Sequence, residues 1–365
     1  MVTKATARAF SDLAVPPGEL LSEELEARGM TQKELADRTG RPEQKISEII
    51  NGKKSITHDT ALELEKVLGI SAEFWVNLEG SYQLTKARLR ERSELEKQED
   101  WLDFFPVREL QTRGYIPRTR DRQEMLTALL KFFGVASFAA LRQRQRQEAF
   151  LQSYRITPKS RVSEGALWAW LRDGAIQARE AETAPYSQSR FLAVLGEIRS
   201  LTTEGASVLP RVRELCASAG VAFVVVKQFP KSGANGVVRW LSAEKAMIQL
   251  STRRAWTDIF WFTLFHEAKH VLDRQKKHAF VNGINDDAQA EDEADKFAQD
   301  MLVPPGEWAA FVASGTWSRL DVRNLAERVG IHPGIVVGRL QHEHLIPYNS
   351  GLNDLRSRFV WRDDE

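Results

Sequence analysis

Phe265-His266-Glu267-Ala268-Lys269-His270 sets two histidines four residues apart with a glutamate beside the first. Only a helix turns residues at that spacing onto one face, where two imidazoles can reach one tetrahedral metal ion. The surrounding residues predict such a helix. Trp256 to Leu272 contains no Gly or Pro and is apolar on nearly every side through Ile259, Phe260, Trp261, Phe262, Leu264 and Phe265. A segment of that kind is buried, and buried neutral histidines need partners. Zinc supplies one and leaves a position open for water. The spacing H-E-x-x-H makes Glu267 the candidate general base of a metallopeptidase.

A third ligand is expected on a second helix, and Glu291-Asp292-Glu293-Ala294-Asp295 provides it. Glu291 and Asp295 share a helical face, so Glu291 completes the set His266, His270 and Glu291. Asp295, one turn on, is placed to accept a hydrogen bond from a ligand histidine and fix its tautomer. Glu293 is the competing ligand, but on a rigid helix it points about 200° away from Glu291. An isolated H-E-x-x-H also arises as a solvated or core pair. The buried helix, the acidic second helix and its apolar continuation through Phe297, Ala298, Met301 and Leu302 favour the metal.

These residues, with Pro304, resemble the ImmA/IrrE-type metallopeptidases, whose pattern is H-E-x-x-H, then E-x-x-A-[DN]-x-F-A, then L-x-P. The likeness covers roughly the last 160 residues. It implies a gluzincin-like fold, Zn2+ held by His266, His270 and Glu291, Glu267 as base, and cleavage of a partner regulator. Lys269 departs from the small residue common before the second histidine.

The other informative stretch is Thr31-Gln32-Lys33-Glu34-Leu35-Ala36-Asp37-Arg38-Thr39-Gly40. Thr31 and Glu34 have capping-box spacing, and Gly40 ends the helix. Pro42 starts a second helix whose apolar face is Ile46, Ile49 and Ile50, and Asn51-Gly52 ends it. This is helix, turn and helix, with Ala36 small enough for a close crossing. Gln44, Lys45, Ser47 and Glu48 would then face base edges, and Gln32, Lys53 and Lys54 would reach phosphates. Charge adds no support, because the first hundred residues are slightly more acidic than basic. A helical bundle used only for dimerisation fits the same pattern. Met30 to Lys53 is similar to Xre-type repressors, and Ile56 to Leu84 to antitoxins of the host-inhibition-of-growth type. That resemblance implies a homodimer binding operator double-stranded DNA.

The 365 residues exceed one ordinary domain. The predicted class is α+β, mainly α: a five-helix DNA-binding domain over 1–92, a helical middle region over 93–205, a zinc domain with a small β-sheet over 206–346, and a peripheral tail over 347–365. The runs Val221 to Val226, Gly236 to Leu241 and Ala246 to Leu250 predict the strands. Met247 to Leu250 reads either as an edge strand open to an extended substrate or as a core strand. Trp168, Trp170 and Leu171 read as core, Arg142 to Gln147 as a solvated helix face, and Ile335, Val336, Val337 and Leu340 as packing for the zinc domain. Cys216 reads as a core thiol. His278, His332, His342 and His344 are candidate oxyanion donors.

A net charge of +1 predicts neither polyanion coating nor an acidic substrate. No apolar run approaches the roughly 20 residues of a membrane span, and Met1 to Pro17 lacks a secretion-signal core. A cytoplasmic protein without membrane partners is expected. Two functions follow: a regulator that cleaves itself or a partner, or an antitoxin and autorepressor whose zinc domain senses a toxin or ligand without turnover.

Overall fold

The computed structural model describes residues 13–149, 154–156, 163–204, 208–252, 256–273 and 286–359. The chain forms two compact units, Met1–Glu99 and Asp100–Glu365. Among its described residues the first holds α1 (Pro17–Ala27), α2 (Gln32–Thr39), α3 (Glu43–Ile50), α4 (His58–Leu68) and α5 (Ala72–Glu96). Their apolar faces meet in a core of Leu21, Leu35, Ile46, Ala61, Leu64 and Trp75. The boundary expected after residue 92 falls inside α5, which runs on to Glu96.

Only half of the expected capping box forms. Thr31 Oγ1 accepts from the Glu34 amide at 3.1 Å, whereas the Glu34 carboxylate takes Arg38 at 2.5 Å, one turn along. Gly40 closes α2 at φ 68°, a backbone conformation that suits glycine.

The second unit contains α6 (Trp101–Phe104), α7 (Val107–Thr112), α8 (Arg122–Phe133), α9 (Phe138–Ala149), β1 (Tyr154–Ile156), α10 (Glu164–Glu180), α11 (Gln188–Ser200) and α12 (Leu209–Ser218). It continues with β2 (Val221–Val226), β3 (Ala234–Ser242), β4 (Lys245–Ser251), α13 (Thr257–Leu272), α14 (Asp286–Leu302), α15 (Pro305–Ala313), α16 (Arg319–Val329) and α17 (Pro333–His342). The strands form one mixed sheet in the order β1-β3-β4-β2. A β3–β4 hairpin is antiparallel, and β2 lies parallel to β4.

This order decides the question left open for Met247 to Leu250. β4 is paired on both sides, from Ala246↔Val221 to Ser251↔Val226 with β2 and from Lys245↔Ser242 to Leu250↔Gly236 with β3. It is an interior strand with no ladder groups free for a substrate. Gln249, which alternation alone would send to solvent, is fully buried and donates to the Trp170 carbonyl at 2.7 Å.

The middle region is not a separate module. β1 joins the sheet, α10 packs on β2 and β4, and Trp170 Nε1 donates to the Val226 carbonyl at 3.3 Å. Arg113, after α7, pairs with the buried Asp173 of α10 at 2.8 Å, and Tyr115 Oη donates to the same carboxylate at 2.7 Å. From residue 100 on, the expected middle region therefore shares one fold with 206–346, while its first residues, 93–99, belong to the first unit. Arg142 and Gln143 of α9 are exposed, with the Arg142 guanidinium over the Trp101 ring. Against the expectation of no such run, Arg122–Gln145 is apolar enough by length and composition to cross a membrane. Between α8 and α9, however, the chain turns at Gly134 (φ 66°), and Leu126, Leu129, Phe132 and Phe133 are buried.

The C-terminal segment is not peripheral. Trp256 bridges to Arg358, and Ser357 accepts from the Thr257 amide at 3.0 Å. The Arg356 guanidinium clasps the Asp258 carboxylate at 2.8 and 3.1 Å and lies over the Trp256 ring. This clamp holds the first turn of α13. Ile335, Val336, Val337 and Leu340 of α17 bury against the same helix, as expected. Cys216 is a buried core thiol whose pKa burial pushes up to about 12, which makes it a poor nucleophile.

Candidate functional sites

α13 and α14 pack side by side, which brings His266, His270 and Glu291 together, each with a ligating atom within 4.8 Å of the others. His266 Nε2 stands 3.2 Å from His270 Nε2. The two Glu291 oxygens lie 3.2 Å from His266 Nε2 and 3.2 Å from His270 Nε2. Ligands about 2.0–2.1 Å from a zinc ion stand roughly 3.3 Å apart at the corners of a tetrahedron, so the three groups fit that ion. Both imidazoles are buried, at 1% and 4% exposure. The two histidines hold the Glu291 carboxyl well below the usual carboxylate range.

Asp295 takes the place expected of it, 2.7 Å from His266 Nδ1. With a proton on Nδ1, Nε2 presents its lone pair to the ligand position. Glu293 turns away, as helix geometry required, and lies 3.8 Å from Lys269 Nζ. Lys269 also pairs with Asp273 at 2.5 Å. It is therefore a half-buried bridge between α13 and α14.

Glu267 is 2% exposed. A residue that the motif did not reveal packs against it: Gly236 of β3, where a Cβ would stand 2.5 Å from Glu267 Oε1. The sheet approaches so closely that a side chain at this position would force Glu267 or Thr263 to shift. No sequence signal marked this position beyond a glycine inside a strand.

Of the proposed oxyanion donors, His332 caps α17, accepting from the Gly334 amide at 3.0 Å, and stands against the clamp. His344 meets Tyr348 edge-on, and His278 lies outside the described residues. His342 packs against Phe262, itself beside His266.

In the first unit, Gln44, Lys45 and Ser47 lie on α3, Gln32 opens α2, and Lys53 and Lys54 follow α3. Three of them gather on Glu48, with Lys54 at 2.8 Å, Gln44 at 3.2 Å and Lys45 at 3.7 Å. Ser47 instead accepts from Asn51 at 3.2 Å. Glu48, held below the usual carboxylate range chiefly by Lys54, thus competes with phosphate for two lysines. Glu48→Gln is expected to tighten binding to duplex DNA of arbitrary sequence. It should also steepen the fall of log K with log salt by about 0.9 for each lysine released to a phosphate. Fluorescence anisotropy across a salt series measures both, and an unchanged slope would show that neither lysine reaches DNA.

Residues 21–75 match the family described as Helix-turn-helix. The chain belongs to this family and is a DNA-binding regulator of the helix-turn-helix class. It is 36% identical over 81 residues to Virulence-associated protein I of Dichelobacter nodosus, covering 22% of this chain and 75% of that protein. It is 37% identical over 81 residues to Antitoxin HigA-1 of Vibrio cholerae serotype O1, covering 22% and 76%. Among solved structures, an addiction module antidote protein of a HigA family from Coxiella burnetii is 39% identical over 23% of this chain and 92% of its own, with a TM-score of 0.22.

Proposed function

We propose that this chain is a transcriptional regulator whose second unit is a zinc-dependent endopeptidase, cleaving itself or a partner regulator to switch transcription. One observation supports the reading most: two imidazoles and one carboxylate converge, each within 4.8 Å of the others, beside a buried Glu267 that Gly236 of β3 packs against. The likeness to ImmA/IrrE-type peptidases in His266, Glu267, His270, Glu291 and Asp295 supports it.

His266, His270 and Glu291 would hold the ion. When bound, zinc supplies a Lewis acid that polarises a peptide carbonyl and lowers the pKa of water to about 7. Glu267 takes the proton from the attacking water and delivers it to the leaving amine. Asp295 keeps His266 in the tautomer that binds. Burial of Glu267 and both histidines lowers the local dielectric and strengthens each of these interactions.

The relatives support a second reading. Antitoxin HigA-1 is named an antitoxin, and the Pseudomonas aeruginosa antitoxin HigA was solved with the higBA promoter. On this reading the chain represses its own operon as a dimer, and the metal fold senses a toxin or ligand without turnover.

Metal per chain in protein purified without added zinc is the first test. About one zinc in the parent and none in His266→Ala is expected. No metal in either would remove both the peptidase and a zinc-based sensor.

A further inference from the structure

The sheet passes Glu267 at β3, and β3 is not free there. Antiparallel pairing sets Tyr154 of β1 opposite Val237 and Ile156 opposite Ala234, so β1 brackets Gly236, the residue packed on Glu267 Oε1. Neighbouring strands lie about 4.8 Å apart, so the β1 backbone runs one strand beyond the residue that touches the candidate base. The other flank of β3 is taken by β4 for most of its length. An extended polypeptide brought to Glu267 by strand addition would have to pair with the edge of β3 that β1 covers.

We infer that this β3 edge is a strand-binding surface for an extended polypeptide and that β1 is its occupant in cis, closing the site to other chains until it is displaced. The inference deepens the proposed peptidase reading and rests on it for the chemistry. β1 is built to be displaced. It is three residues long and its pairing is broken by a register shift between its two partners, whereas β2 holds β4 through six consecutive pairs. So short an edge strand has few ladder bonds to lose, and such segments open at far lower cost than the whole fold. The interior strand β4 has no comparable freedom.

The test uses the full chain carrying Glu267→Gln, with and without Tyr154→Pro plus Ile156→Pro. Proline at these paired positions disfavours the strand and leaves the β3 sequence unchanged. Amide exchange over Ala234 to Val237 is read by mass spectrometry, with and without unfolded casein as the extended polypeptide. Exchange in the proline variant should be at least about tenfold faster than in its parent, and casein should restore protection in the variant alone. Equal protection of the parent by casein would overturn the inference, because the edge would already be open. Failure of casein to protect the opened variant would also overturn it, because the edge would not take a strand. Casein cleavage by the same proline variant with Glu267 intact reports the peptidase reading separately. Protection without cleavage keeps the strand-binding surface and removes the hydrolysis.

Discussion

On the peptidase reading, Glu267→Gln should bind zinc as the parent does and lose cleavage. Glu267 is not among the three groups whose ligating atoms converge, so the neutral isostere leaves the ion's ligands as they are. It also removes the only role assigned to Glu267, moving a proton between water and the leaving amine. General acid–base catalysis by one positioned group is worth about 10²–10⁴-fold, and turnover should fall by that factor. Metal analysis and cleavage of a fluorogenic peptide pool, measured on the same preparation, check both halves. Retained turnover would remove Glu267 as the base. Metal lost together with activity would mean that the carboxylate supports the ligand geometry instead.

Arg356→Ala should be among the most destabilising single changes in the second unit. Arg356 and Asp258 expose 10% and 5% of their side chains and are doubly bonded. Breaking such a pair by deleting one partner costs about 3–5 kcal/mol, because the other charge stays buried and unpaired. Burial already pushes the Asp258 carboxyl up, and Arg356 opposes the shift. Without Arg356 the carboxyl rises further. A carboxyl with a raised folded pKa binds more protons in the native state than in the unfolded one. Stability therefore falls as pH rises through that pKa and recovers as pH falls. The deficit of Arg356→Ala should narrow toward acid and shrink in Arg356→Ala/Asp258→Asn. Thermal unfolding of the full chain, followed in its second transition across pH, measures this. A pH-independent deficit would place the loss in the Trp256 stacking contact.

The convergence of His266, His270 and Glu291 was legible because its geometry is local. Two histidines four apart on an apolar helix, and a glutamate and an aspartate four apart on another, fix which face each group occupies before any packing is known. The helix-turn-helix was legible for the same reason, through Thr31 at the start of α2, Gly40 at its end and three isoleucines on one side of α3. The three longer strands also lay where their β-branched runs placed them.

Other features depended on contacts between distant residues. A strand's own residues carry no mark of which neighbours it will have, so the interior position of β4 and the capture of β3 by β1 emerge only when the sheet assembles. Gly236 over Glu267, Arg356 on Asp258 from 98 residues away, and Glu48 drawing Lys45 and Lys54 together are pairings in space. Period and spacing report which face of an element a side chain takes. Packing of one element on another sets whether that face meets solvent, a partner strand or a buried charge, and no local pattern records it.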